Sequence, residues 1–583
     1  MRRALAAIAG ACLLALAISQ MAGAQVNPPV PAPTGPVNPA ATPSVLPAAA
    51  AAPGDQAPSA APAANAPAPD ASASAEASPE ASPEATPEAS PSPSPSPTPP
   101  PIFVDPPAPS VEPGRTVPAR VNSAAGTITA TSADPAIATV VADQNQRVIY
   151  ITGVAVGSTT VTVADARGVT RDVAVRVAYA AGTIADSIPL RVTGEPASAA
   201  FLRDAAVQAA IAAATLRPGA RIYVPPDAPV VHGDLAIDDR TEIDVPIQIL
   251  GEAYITASGT TRVLVENDAF PRLAPSQLLV SDYPEKLSAD GVLFTATIDR
   301  TRSQRFLYYH YNPAGEPARR ILVKATNTGS SPAVVHMLAA LAGPGTNEME
   351  VGHNATKAFL IRARRNEGTV ITIPPNSTVN IVNHNLPPGA VVNGILQLRE
   401  VTGDPLNIAV VAQHAEAPLD QTIDAATLLS GGAAHARGVY PVPEFFSEYT
   451  YVTGDQPLEI PIGQLPLPNL RQGEALSGDY GVMQSVRVVI VNPSRFGQAI
   501  ALYANPRGGA ATGTFIIDDT LVQAHRLSAY SHYKIWQETI APGTYRTLRI
   551  STMPEGGSSY PLRLEFAPDD GSVAPGAPGS PVY

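Results

Sequence analysis

Glu348, Glu350 and His353 stand close together in Asn347-Glu348-Met349-Glu350-Val351-Gly352-His353, a set of oxygen and nitrogen donors of the kind divalent metals use. A zinc site needs three or four convergent ligands, and no second histidine follows at i+4 as on a zincin helix. His353 is therefore expected to be a loop histidine with ordinary hydrogen bonds. Asp518-Asp519 and Asp569-Asp570 offer hard oxygens for calcium but lack the DxDxDG spacing, so both pairs read as solvated turn acids. Gly508-Gly509-Ala510-Ala511-Thr512-Gly513-Thr514 imitates a phosphate cradle without the Lys-Ser/Thr ending, and Phe515-Ile516-Ile517 after it reads as strand. No serine sits on a G-x-S-x-G elbow. No catalytic, cofactor-binding or metal residue is assigned, and no cofactor is implied. The candidates for ligand contact are aromatic: Tyr308, Tyr309 and Tyr311 in Phe306–Tyr311, and Tyr449 and Tyr451 in Phe445–Tyr451. Exposed rings stack on sugars or partner proteins, whereas buried ones build cores or domain contacts.

The elements that must position these residues are announced by an echo. Thr372-Ile373-x-Pro375 returns as Thr539-Ile540-x-Pro542, and Leu386-Pro387-Pro388-Gly389 returns as Met553-Pro554-Glu555-Gly556, both at an offset of 167 residues. Ile321 to Asn327 answers Arg487 to Asn492 at a slightly different offset, as expected where one loop has changed length. Residues 275–420 and 440–568 therefore read as two copies of one β-sandwich module. Each holds a hairpin-like pair joined through an Asn-containing turn, a proline–glycine turn, and an alternating strand, Gly394–Arg399 or Tyr560–Glu565. No run of helical period is expected to interrupt either copy. The shared prolines and glycines read as turn residues, so specific activity belongs where the copies differ.

Upstream, residues 182–270 form a small α+β unit. A helix from Ala199 to Leu216 is capped by Ser198 and stopped by Pro218-Gly219, with candidate strands at Ile188–Gly194, Arg221–Val224 and Val245–Gly251. Residues 1–24 have the layout of a secretory signal, with Arg2-Arg3, an apolar run and an Ala22-Gly23-Ala24 cleavage site. Cys12, the single cysteine, lies within it. The mature chain then has no thiol chemistry and no transmembrane helix. Residues 25–102 are a Pro/Ala/Ser-rich spacer with Ser78-Pro79-Glu80-Ala81 repeats, expected to be disordered. Residues 569–583 are expected to be a flexible tail. A net charge of −13 without a basic stripe argues against nucleic acid as a partner.

Residues 103–181 turn into short β-branched runs. Ser132-Ala133-Asp134-Pro135-Ala136-Ile137-Ala138-Thr139-Val140, followed by Ile151-Thr152-Gly153-Val154-Ala155-Val156-Gly157-Ser158-Thr159-Thr160-Val161-Thr162-Val163, resembles the bacterial immunoglobulin-like group 2 domain. Similar runs occur in the N-terminal domain of pilus-assembly secretins. The resemblance implies an Ig-like sandwich on a bacterial surface and no reaction. The fold class expected is mainly β: tandem antiparallel Ig-like β-sandwich modules, one small α+β unit and a long disordered N-terminal segment. The function expected is that of a secreted cell-envelope protein, structural or adhesive and non-enzymatic. Its partners would be cell-wall or envelope components or other surface proteins. A glycan- or protein-binding receptor is the alternative, and a hydrolase with a dispersed site the third reading.

Overall fold

The computed structural model describes residues 99–421 and 427–572. The expected signal, most of the expected spacer and most of the expected tail lie outside them. Within the described residues the chain is mostly β-strand, with two longer helices, α1 (Ala199–Ala213) and α2 (Glu348–Arg365). No described helix is long and apolar enough to cross a membrane.

Residues 103–177 form a sandwich of two four-stranded sheets. Alternation decides its inside: Val161, Val163, Val173 and Val175 are fully buried, while Thr170, Asp172 and Ala174 between and beside them face water. α1 starts where its cap predicts, Ser198 accepting the Phe201 N–H at 3.3 Å. Its alanine-rich side lets it lie close on strands Ser187–Thr193, Arg240–Leu250 and Ala257–Asn267, the last of these unforeseen in the sequence.

The α+β unit does not end at its own sheet. Strand Ser187–Thr193 pairs antiparallel with Gly368–Ile373 of copy 1, Arg191 opposite Val370. That seam merges the strands on either side into one ten-stranded sheet reaching from Arg221–Tyr223 to Arg437–Tyr440. A ladder of backbone hydrogen bonds thus joins two segments that the sequence reads as separate.

In each copy the two strands expected to form a hairpin lie in different sheets. Arg319–Asn327 belongs to a four-stranded sheet and Ala333–Gly345 to the ten-stranded one; Met483–Val491 and Gln498–Pro506 are split in the same way. The reason is burial: Ile321 and Val323 face Val335 and Met337 across the core rather than beside them. The asparagine of the turn makes the crossing. Asn327 donates its amide to the carbonyls of Ser331 and Ile373 at 2.8 and 3.1 Å and accepts from Gly329 N at 2.9 Å. Asn492 donates to Phe496 and Ile540 at 2.8 and 2.9 Å and accepts from Ser494 N at 3.0 Å. Both asparagines are fully buried, so each satisfies backbone groups that water cannot reach. Pro375 and Pro542 each lie in the turn that follows the strand carrying the second carbonyl.

The copies differ between equivalent strands. Ala333–Gly345 and Gly368–Ile373 are joined through α2, which overturns the expectation of an uninterrupted β-module. Gln498–Pro506 and Tyr533–Ile540 are joined instead through a hairpin, Ala511–Ile517 with Thr520–Leu527.

Candidate functional site: the junction between the two copies

The two segments in which the copies differ pack against each other. α2 begins at Asn347, whose side chain accepts from Glu350 N at 3.3 Å, and ends at Asn366 in the left-handed conformation. Glu348 and Glu350 in its first turn and Arg362, Arg364 and Arg365 in its last suit the helix dipole. Its buried face carries Val351, Gly352, His353, Ala355, Phe359 and Leu360 onto copy 2 and the ten-stranded sheet. Closeness is enforced at Gly352, where a Cβ would stand 1.8 Å from the Gly556 carbonyl oxygen. Gly557, at φ +72°, completes the opposing turn in a conformation that favours glycine.

This approach buries a polar cluster. His353 Nδ1 donates to Glu555 Oε2 at 3.0 Å, with the side chains 1% and 0% exposed. Thr514 Oγ1 donates to Glu555 Oε1 at 2.6 Å and Thr512 Oγ1 donates to Oε2. Ser558 Oγ accepts from Thr512 N at 3.0 Å. Three donors converge on one carboxyl group, which is what a buried carboxylate requires. His353 Nε2 lies 3.3 Å from Gln523 Oε1, and the His525 ring stands 4.8 Å away on the exposed side. Burial, and next the neighbouring His353 and Lys357, hold His525 below the usual histidine range.

A carboxylate-steadied imidazole can serve as a general base when a nucleophile and a substrate reach it. Here the threonine hydroxyls are committed to Glu555 and the pair is sealed from solvent, so the arrangement fastens two modules together. The C-terminus of α2 extends the fastening. Arg362 reaches Asp204 at 3.1 Å and Arg365 reaches Asp234 at 3.0 Å, both in the α+β unit, while Arg364 pairs with Asp519 at the tip of the copy 2 hairpin. One helix therefore contacts the α+β unit, copy 1 and copy 2.

The predicted residues fall elsewhere than expected. His353 is a helix residue, not a loop histidine. Among the described residues no group of three or more His, Cys, Asp or Glu is arranged to hold a metal ion. Asp518 accepts from Arg549 N at 3.0 Å and pairs with Arg546, while Lys534, its side chain buried, pairs with Asp569 and lies 3.2 Å from Asp570. The acid pairs are thus bound turn residues rather than merely solvated ones. The Gly508–Thr514 stretch ends as a fully buried strand that supplies Thr512 and Thr514.

Of the two roles open to the aromatic candidates, the structure places these rings in packing. Tyr308 is fully buried, its hydroxyl 2.9 Å from His384 Nδ1, and burial pushes its phenol far up. Tyr309 and the half-buried Tyr311 pack into the junction between α2 and copy 2. Tyr451 is buried in the core of copy 2 with Tyr449 half-buried against it. Strand Ser303–Asn312 lies between two others with both faces covered, so none of its rings is left free to stack. Thr512 and Thr514 stand in the sequence within a glycine-rich stretch and Glu555 within the repeated turn, but no role is legible for them there; the one available signal is that Glu555 replaces Pro388.

Comparisons with known proteins fall on parts of this architecture. The family described as pilus formation protein N terminal region matches residues 111–178. Of the two likenesses that the sequence carries there, the match is to the pilus one, and an Ig-like sandwich is common to both. No curated protein matches the chain. Among solved structures, domains 5–6 of the S-layer protein SbsC share 17% identity at a TM-score of 0.13, covering 29% of this chain and 97% of that one. The human desmocollin-1 ectodomain shares 12% at 0.11, covering 31% and 43%. A Bacteroides ovatus protein, SGBP-B, solved with a mixed-linkage heptasaccharide, shares 11% at 0.12, covering 50% and 72%. What the chain carries in common with a known family is the sandwich at residues 111–178, similar to the pilus formation protein N-terminal region.

Proposed function

We propose that the chain is a secreted bacterial cell-envelope protein with a structural, non-enzymatic role, in which the Ig-like domain meets other envelope components and the two copies serve as a stiff body behind it. One observation carries this reading. The segments in which the copies differ, α2 and the hairpin of copy 2, join modules to one another through a sealed Glu555–His353 contact instead of lining a cleft. The similarity of residues 111–178 to a pilus formation protein region supports a surface or secretion-related setting. The burial of Tyr308, Tyr309 and Tyr451 supports packing rather than glycan contact as the role of these three rings.

Fractionation of cells producing the tagged full chain, combined with protease added outside the cells and cross-linking, tests the proposal. Recovery in the envelope or medium, with cross-links from residues 111–178 to envelope assemblies, is the expected result. Recovery in the cytoplasm would overturn it.

A further inference from the structure

The two copies treat one face differently. In copy 1, Lys324 and Thr326 lie opposite Asn380 and Thr378 on the outer face of a sheet. The chain beyond the last strand of that copy returns over this face: Lys324 Nζ donates to the carbonyls of Leu419 and Gln421 at 3.3 and 2.9 Å, Asn380 Nδ2 to Leu419 at 3.3 Å, and Arg320 to Ala417. The face is crossed by the segment Ala417-Pro418-Leu419-Asp420-Gln421, in which Gln421 N–H donates to the Pro418 carbonyl at 3.1 Å and closes a turn.

In copy 2 the matching positions are Val489 and Val491 opposite Thr547 and Tyr545. Val488 and Ile490 fill the core, so Val489 and Val491 point outward. Tyr545 is 72% exposed. Val489, Val491, Pro493, Gly543, Thr544 and Tyr545 line a shallow hollow of about 310 Å³ that contains no charged side chain. The donors that hold the strap on copy 1 are gone, and apolar surface stands in their place.

Beyond copy 2 the sequence runs through residues 573–583, Val-Ala-Pro-Gly-Ala-Pro-Gly-Ser-Pro-Val-Tyr, without a charged side chain. Pro575, Pro578 and Pro581 recur at every third position. A polyproline II helix has three residues per turn, so in that conformation these prolines would form one ridge, the form in which aromatic-lined grooves take proline-rich peptides. The same chain's tail starts on the wrong side. Lys534 holds Asp569, Asp570 and the Ser572 carbonyl, and Asp570 N donates to Tyr503 Oη at 2.9 Å. Tyr503 clusters with Ala501 and Ala567 outside the core, on the outer face of the opposite sheet. At ~3.1 Å per residue the segment reaches roughly 35 Å, most of which rounding its own sandwich would use up.

We propose that the open face of copy 2 docks residues 573–583 of a second copy of this chain, as the strap 417–421 docks on copy 1. Such a contact joins different surfaces of the two partners, so it propagates into a ring or a filament. The inference stands on the open face and the tail alone, whatever the cellular setting.

The test uses the full chain, a variant lacking residues 573–583, and a labelled synthetic peptide of that segment. Sedimentation should show the full chain associating with rising concentration and the shortened chain remaining monomeric. The peptide should bind the shortened chain, and Tyr545→Ala and Val489→Lys, both at the surface, should each weaken binding tenfold or more with unchanged circular dichroism. A peptide with alanine at 575, 578 and 581 should lose binding to the same degree. Identical sedimentation of both chains, no peptide binding, or binding indifferent to either substitution would overturn the proposal, as would occupation of the face by a soluble glycan that the peptide does not displace.

Discussion

Copy 1 and copy 2 share their framework down to single hydrogen bonds, yet one inserts a helix where the other inserts a hairpin. Asn327 and Asn492 tie equivalent carbonyls at nearly equal distances, so the turn between the two sheets is built the same way in both. α2 and the strand Ala511–Ile517 have nothing in common but their position in the chain and their mutual contact. Divergence has thus gone into the interface. A buried turn cannot lose its amide without leaving carbonyls unpaired, whereas a connection on the outside of a sheet can change if a neighbour covers it.

The comparison breaks most visibly at Glu555. Glu555→Ala leaves His353, Thr512 and Thr514 without their shared acceptor, and a cost of about 3–5 kcal/mol is expected for the removal of one partner from a buried pair. Denaturant unfolding should then show copy 2 separating from the rest in its own transition; a single unshifted transition would mean the cluster fastens nothing.

Acid should pull the copies apart in the next largest measure. In copy 1, burial holds His310 and His336 down to about 4, and in copy 2 burial pushes Asp479 up to about 7. The lowered histidines contribute stability that is full above the unfolded value near 6.5 and lost as pH falls toward 4. Asp282, at the edge of copy 1 and pushed up to about 6 by burial, opposes one of the two. The raised Asp479 contributes stability that is full below the unfolded carboxylate value and lost as pH rises through 7. From pH 6.5 to 4.5 copy 1 should weaken by roughly 3 kcal/mol at about 1.4 kcal/mol per pH unit, while in copy 2 the gain at Asp479 is opposed by the lowered His525, so copy 2 should hold its stability better than copy 1. Hydrogen exchange corrected for intrinsic rates reads both, and parallel shifts in the two copies would refute the contrast.

Asn327→Ala and Asn492→Ala sharpen the shared side. Each removes two buried carbonyl contacts and should cost about 2 kcal/mol in its own copy, as read by local exchange. Clearly unequal losses would show that the turns are not equivalent. The smallest effect belongs to Arg364→Ala: its bond to Asp519 is solvent-exposed, so a change below about 1 kcal/mol, vanishing at high salt, is expected from thermal unfolding.

Much of the framework was legible residue by residue. Ser198 marked the start of α1, but the helix ends at Ala213, short of the Leu216 and Pro218-Gly219 stop expected, because Thr215–Leu216 pairs as a strand with Gly182–Thr183. Alternation of Val and Thr gave the strands of the Ig-like domain, and the echo at offset 167 marked turns that the structure builds alike. The marks of α2 were also present, in the Asn347 cap, the acids of its first turn and the arginines of its last. They were outweighed by the β-pattern on both sides and by a Glu-Glu-His set that suggested ligands.

The sequence by itself determined which residues could be strands, where turns fall and that a module occurs twice, because those depend on local backbone preference and the period of apolar side chains. Only the tertiary structure decided that the α+β unit and copy 1 share one sheet, that Tyr308 and Tyr451 are interior, and that Glu555 meets His353 across 202 positions of chain. A strand's pattern states that one face is apolar, but what covers the other face, and which polar groups must meet there, is set by neighbours far away in sequence.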